Sequence, residues 1–209
     1  GLGIGRGDRV ALFMTNRPEY VVAFFALARL GAVSSPMNPS YKEREVAYQL
    51  ADSGAVAVVV QHDLVPLVRA VRSEAPGLKH IIAVGPDALA DGDSVRFADL
   101  IAAAQATPPA AVEIESDDLL VLPYSSGTTG LPKGVLLSHQ AFVCNNIEFI
   151  AALRATPDDR FLIFLPFYHV LGLMLLGGAV HAGARMVVME RFDPAECCRL
   201  VEAERTRQA

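Results

Sequence analysis

The ten residues from Ser125 to Gly134 read SSGTTGLPKG. They place four hydroxyls, three glycines and one lysine in a stretch with no carboxylate, between two strongly apolar runs. A segment of this kind cannot build a core, but it can cradle an anion. Gly127, Gly130 and Gly134 let the backbone bend and bring N–H groups close to a ligand. Ser125, Ser126, Thr128 and Thr129 add hydroxyl donors, and Lys133 adds one full positive charge on a flexible stem, suited to phosphate oxygens. The plain alternative is a Gly/Ser turn that only connects two elements.

Two familiar phosphate motifs do not fit. A Walker loop counted from Gly127 would need glycine where Pro132 stands, and serine or threonine where Gly134 follows Lys133. The opening GLGIGRGD is rich in glycine but has neither the spacing of the dinucleotide fingerprint nor its place after a strand.

Other reactive side chains are sparse. His169 lies in the apolar LPFYHVLGL stretch, where a lone histidine is either a core or capping group or a pocket residue. His62, His80, His139 and His181 share no spacing and are assigned nothing. The three cysteines, Cys144, Cys197 and Cys198, make neither a disulfide framework nor a zinc spacing. They read as reduced, helix-buried thiols of a cytoplasmic protein.

The elements that must position these residues alternate along the chain. Strands are expected at Asp8–Thr15, in AVSSPMNP, AVAVVV and KHIIAV, from about Leu119 to Tyr124, and in RFLIFLP and ARMVVME. Helices are expected between them. Asn16-Arg17-Pro18, Ser40, Ser138 and Asp193-Pro194 serve as start signals, and Gly31 and Gly54 as stops. One short helix is expected near Phe97 to Ala104, within a Gly/Pro/Asp/Ala-rich surface excursion. This is an α/β fold with largely parallel strands between helices. The phosphate-type loop is then expected between a strand and a helix, where α/β proteins commonly bind anions.

The chain has 209 residues, 52% hydrophobic and 20% charged, with a net charge of −5. Acids and bases interleave, so no basic patch argues for nucleic acid. Phe161 to Ala184 carries no Asp, Glu, Lys or Arg, yet Pro166, His169, His181 and several glycines break it into strand, loop and helix. It reads as buried core rather than a membrane span. The chain starts at Gly1 without methionine and stops inside an amphipathic helix, so the expectation is a piece of a longer protein.

YSSGTTGLPKGV resembles the signature phosphate loop of the adenylate-forming, AMP-binding enzymes: acyl-CoA synthetases, 4-coumarate–CoA ligases, luciferases and peptide-synthetase adenylation domains. TNRPEYVVAFFALARLGAVSSPMNP, LSHQAFVCN, LPFYHVLGL and GARMVVMERFDP resemble further motifs of that family, in the same order. The resemblance implies that residues 1–209 are part of a large N-terminal domain. The small C-terminal domain and the adenine- and ribose-binding motifs do not occur before Ala209.

It also implies an activity. ATP and a small-molecule carboxylic acid give an acyl-adenylate and pyrophosphate, and a thiol, usually that of coenzyme A, then takes the acyl group. By resemblance, Ser125, Ser126, Gly127, Thr128, Thr129, Gly130 and Lys133 bind phosphate, with Thr128 nearest Mg2+. Lys133, Thr128 and His169 are the catalytic candidates, with His169 in the acyl and adenylate pocket, and Arg191 lies near the coenzyme A phosphate. Tyr168, Leu171 and Leu175 are candidates for the acyl tunnel, with helix packing as the alternative; a solvated surface arginine is the alternative for Arg191.

The expected parent is a fatty or aryl acid–CoA ligase. The alternatives are a fatty acyl-AMP ligase, a peptide-synthetase adenylation domain or, from another class, an inactive nucleotide-binding module. The isolated piece is expected neither to turn over nor to bind ATP tightly. A P-loop phosphotransferase is disfavoured by the failed Walker spacing.

Overall fold

The computed structural model describes residues 2–86, 88, 91–104, 110–125 and 131–206. The loop residues Ser126, Gly127, Thr128, Thr129 and Gly130 therefore lie outside the described residues.

Strand β1 (Arg9–Phe13) shows why the apolar runs are continuous. Val10 and Leu12 face one hydrophobic cluster, Ala11 and Phe13 another, and all four are fully buried. Successive side chains of a strand point to opposite faces, so a strand covered on both faces needs apolar residues throughout. The neighbouring strand β3 (Ala57–Gln61) repeats the division, with Ala57 and Val59 on one side and Val58 and Val60 on the other. Truncating Phe13 to alanine would cost about 3–5 kcal/mol by loss of burial and by the cavity left.

Helix α1 (Pro18–Arg29) follows β1, with Pro18 pre-set for the first helical position and Glu19 in the first turn. Its buried residues Tyr20, Ala23, Phe24 and Leu27 fall at helical spacing on one face. Strand β2 (Val33–Pro36) then runs parallel to β1. Helix α2 (Glu43–Ser53) leads into β3, and α3 (Val65–Ala70) into β4 (His80–Val84). Short β5 (Val95–Arg96) and α4 (Phe97–Ala102) follow, then β6 (Leu119–Val121).

Among the described residues the large sheet has seven strands in the order β5-β4-β3-β1-β2-β6-β9. All neighbours pair in parallel except β6 with β9 (Leu137–Ser138). The α/β class and its largely parallel sheet are as expected from the sequence.

The C-terminal third adds α5 (His139–Leu153), β10 (Arg160–Ile163), α6 (Val170–Ala182), β11 (Arg185–Val188) and α7 (Pro194–Glu204). Strands β10 and β11 pair in parallel as a separate sheet. One hydrophobic cluster joins Val10 and Leu12 of the large sheet to Phe24 and Leu27 of α1, Leu173 and Leu176 of α6, and Phe161 and Ile163 of β10. The two sheets thus share one core. The uncharged stretch from Phe161 resolves into strand, loop and helix, and no helix among the described residues is long and apolar enough to cross a membrane.

Three local expectations need correction. Ser40 does not cap α2: the helix begins after Lys42, whose N–H donates to the Glu45 carboxylate at 3.0 Å. Cys144 and Cys198 are exposed rather than buried. The segment expected as one strand to Tyr124 is two, because Leu122 and Pro123 separate β6 from a small hairpin.

Candidate active site

That hairpin consists of β7 (Tyr124–Ser125) and β8 (Lys133–Gly134), paired antiparallel with Ser125 opposite Lys133 and Tyr124 opposite Gly134. It forms the base of the Ser/Thr/Gly loop, with both stem residues exposed. The chain then passes through β9, which runs back along β6, before α5 begins. The described chain thus reaches α5 from the hairpin through β9 rather than directly, in place of the simple strand–loop–helix order expected. Ser138 does cap that helix, its Oγ accepting the Ala141 N–H at 3.2 Å, but at the far end of β9.

Helix α2 holds both stems. The Tyr48 hydroxyl donates to the Pro132 carbonyl at 2.9 Å, and the Tyr124 hydroxyl donates to Asp52 Oδ2 at 2.6 Å. Tyr48 and Asp52 are four residues apart and share one face of the helix. The two tyrosine rings meet edge to face, with centroids 6.3 Å apart. Burial, then the bond to Asp52, raises the Tyr124 pKa, so the phenol keeps its proton at neutral pH. Gly134 completes the fit: a Cβ there would come within 2.9 Å of Leu122 Cδ1 and 3.4 Å of the Tyr124 ring. Helix α2 is itself tied to the sheet. Gln49 Nε2 donates to Ser35 Oγ and to the Pro36 carbonyl, each at 2.9 Å.

A cleft of about 610 Å³ opens where the chain leaves β1, β2, β10 and β11. Its lining includes Thr15, Asn16, Asn38, Tyr168, Arg191 and Phe192. All these positions follow the carboxyl ends of parallel strands, the side on which open α/β sheets bind ligands. The hairpin follows the carboxyl end of β6, which is parallel to β2, and so belongs to the same side of the large sheet. Ser125 and Lys133 do not line the cleft.

His169 is exposed and caps α6, its Nδ1 accepting the Leu171 N–H at 3.3 Å. That bond leaves Nε2 as the ring nitrogen available to a ligand. The capping alternative therefore holds for the Nδ1 side of His169, and its neighbour Tyr168, not His169 itself, stands in the cleft wall. Gly172 lets the turn before α6 close, since a Cβ there would stand 2.0 Å from the Pro166 carbonyl oxygen. Leu175 is buried in the core and Leu171 is exposed. Arg191 is exposed and also lines the cleft, beside Glu190, whose carboxylate lies 2.9 Å from the Thr15 hydroxyl.

The structure thus gathers Tyr168 and Arg191 around one cleft, with His169 next to it, and gathers Ser125 and Lys133 in the hairpin. Tyr48, Asp52 and Tyr20 are supporting residues that sequence reasoning passed over. Their partners are distant in sequence, and no local pattern marks them. Among the described residues no group of three His, Cys, Asp or Glu side chains could hold a metal ion.

The family model described as "AMP-binding enzyme" matches residues 1–208. The chain is 40% identical over 208 residues to 4-coumarate–CoA ligase 5 of Oryza sativa subsp. japonica, covering 96% of this chain and 37% of that protein. It is 35% identical over 206 residues to the long-chain-fatty-acid–CoA ligase FadD13 of Mycobacterium tuberculosis, covering 98% and 39%. The inhibitor-bound N-terminal domain of FACL13 from Mycobacterium tuberculosis superposes with a TM-score of 0.88 at 33% identity, covering 98% of this chain and 50% of that one. The chain therefore spans well under half the length of these curated relatives. Matched over almost every residue by the family's model, and similar in sequence and fold to these ligases, this chain belongs to the AMP-binding enzyme family.

Proposed function

We propose that this chain is the first portion of the large N-terminal domain of an ATP-dependent acid–CoA ligase. Within that ligase it grips the tail of ATP and forms one side of the acid pocket. One observation carries the reading: Lys133 and Ser125 face each other across a hairpin bolted to α2. The exposed Lys133 thereby stands at the base of the hydroxyl-rich segment, beyond the carboxyl end of β6.

The electrostatic problem of the first step is the approach of a carboxylate to an anionic triphosphate. A carboxylate oxygen attacks the α-phosphorus, a new P–O bond forms, and the bond to the β-phosphate breaks to release pyrophosphate. Lys133, with Ser125 and the loop residues Ser126, Gly127, Thr128, Thr129 and Gly130, would hold the β- and γ-phosphate oxygens and stabilise the leaving group. In the second step the coenzyme A sulfur attacks the acyl carbon, AMP leaves, and the thiol proton passes to solvent. His169 Nε2 and Tyr168 would orient the acid at the cleft, and Arg191 would attract the phosphates of coenzyme A. The described residues assemble no protein metal site. A magnesium ion would be carried in on the phosphates, where it would neutralise their charge, with Thr128 its nearest protein candidate.

The substrate class follows from the relatives, which are named for 4-coumarate and for long-chain fatty acids. An aryl or fatty acid is the proposed substrate and coenzyme A the proposed acceptor. The test is acid-dependent exchange of labelled pyrophosphate into ATP by the full-length protein, followed by product analysis with coenzyme A. Exchange that needs an added aryl or fatty acid, and an acyl-CoA product, support the reading. No exchange across a broad acid panel overturns it.

A further inference from the structure

Asn16 sits at the turn after β1, where its neighbours Arg17 and Pro18 start α1. Its sequence context marks a helix start, yet its side chain caps nothing there: the N-cap is Arg17, without a side-chain bond. The carboxamide instead crosses to the second sheet. Nδ2 donates to the Leu165 carbonyl at 2.9 Å and to the Met189 carbonyl at 3.2 Å, and Oδ1 accepts the Phe167 N–H at 2.7 Å. The partners settle which end is oxygen, because two carbonyls require the NH₂ group and an amide N–H requires the oxygen. Asn16 is 5% exposed, so these bonds are largely shielded from water.

Its three partners lie on the two segments that wall the cleft. Leu165 and Phe167 belong to the turn that carries Tyr168 and His169, and Met189 precedes Glu190 and Arg191. Tyr20, in the first turn of α1, adds a third bond to the turn at Leu165–Phe167: its buried hydroxyl donates to the Phe167 carbonyl at 3.0 Å, and its ring packs tilted against Phe167 with centroids 5.4 Å apart. Among the described residues no hydrogen bond links Asn16 to the hairpin, whose stems are held by Tyr48 and Asp52 of α2. The wall that carries Tyr168 and the stems that carry Lys133 are therefore set by different residues.

We propose that Asn16, assisted by Tyr20, is a positioning residue for acid recognition: by bonding Leu165, Phe167 and Met189 it holds the Tyr168 and Arg191 walls of the cleft at a fixed separation, without bearing on the ATP grip. The proposal rests on the acid–CoA ligase reading above. Asn16→Asp keeps the shape and the Phe167 acceptor but turns an oxygen toward two carbonyl oxygens. Tyr20→Phe keeps the ring and removes one bond.

The test uses the full-length protein and the pyrophosphate-exchange assay with an aryl or fatty acid that the wild type accepts. The expected result is a KM for the acid raised roughly tenfold or more in Asn16→Asp and by a few-fold in Tyr20→Phe, as misplacing a pocket wall by under 1 Å costs this much. The KM for ATP should stay within about twofold of wild type, since the hairpin is held elsewhere. A merely structural role would lower the active fraction, and so kcat, without separating the two KM values. Unmoved KM values, or equal rises in both, overturn the proposal while the ligase reading stands. If Asn16→Asp fails to fold, Tyr20→Phe decides by the same criterion. A wild type that exchanges pyrophosphate with no acid overturns the ligase reading and this inference with it.

Discussion

The hydroxyl of Tyr124 lies 2.6 Å from Asp52 Oδ2, and through that bond the first stem of the phosphate-type hairpin hangs on α2. The second stem hangs on the same helix one turn earlier, through Tyr48 and Pro132. We predict that Tyr124→Phe and Asp52→Asn each raise the KM for ATP of the full-length protein. Because the Asp52 side is exposed, the bond should contribute only about 0.5–1.5 kcal/mol. A double-mutant cycle on ATP binding should show the two changes to be coupled. Fully additive effects would mean that the bond does not position the stem.

Lys133 is exposed and makes no ion pair among the described residues. Replacing it with alanine should leave stability within about 0.5 kcal/mol, as for other surface positions away from structural features. Adenylation in the full-length protein should slow by about a hundredfold, the usual loss when one charge-stabilising donor is removed. Exchange kinetics measured beside a denaturation curve check both halves. An unchanged exchange rate would show that the lysine does not meet the phosphates.

Gly172 is held against the backbone, since any Cβ there would stand 2.0 Å from the Pro166 carbonyl oxygen. The contact is with main chain, so no side-chain rotation relieves it. Gly172→Ala should destabilise the protein by about 1–3 kcal/mol, the range for overpacking. Urea denaturation measures this, and a midpoint equal to wild type would contradict the geometry.

His139 offers a pH-dependent prediction. Burial lowers its pKa, with the negative charge of Asp118 opposing, and its Nε2 is buried without a partner among the described residues. The folded state then takes up this proton less readily than the unfolded chain, whose histidine titrates near about 6.5. Between the folded and unfolded pKa values the unfolded state holds more protons, so this residue's contribution to stability is complete above about 6.5 and is lost as pH falls through the folded value. His139→Leu should flatten the stability profile below about pH 6.5 relative to wild type. Denaturation midpoints from pH 8 down to about 5.5 test this, and parallel profiles for the two proteins would refute it.

Much of this was legible from local chemistry. Pro18, Ser138 and Asp193 mark helix starts because their effects act within one turn: Ser138 accepts from Ala141 and Asp193 from Glu196. The buried strands were legible because burial on both faces demands unbroken apolar runs, as in Val58, Val59 and Val60. The hairpin was not legible, because two-residue strands carry no periodicity and YSSG and KGV read equally well as loop. Asn16 was read as part of a helix-start signal because the same residue type serves both uses. Its bonding partners lie 149 to 173 residues away, and only the meeting of the two sheets brings them close. Ser125 and Lys133 are marked by residue type, and His169 and Arg191 by resemblance, whereas the bolts that hold them, Tyr48, Asp52 and Tyr20, show no local pattern.

The central claim is that the Tyr124–Gly134 hairpin holds the leaving end of ATP while a carboxylate is joined to AMP. Carboxylate-dependent exchange of labelled pyrophosphate into ATP by the full-length protein, compared with its Lys133→Ala variant, tests this most directly. The account predicts exchange that requires an aryl or fatty acid and falls by about two orders of magnitude in the variant. ATP consumed to ADP and phosphate, or exchange indifferent to Lys133, would contradict it.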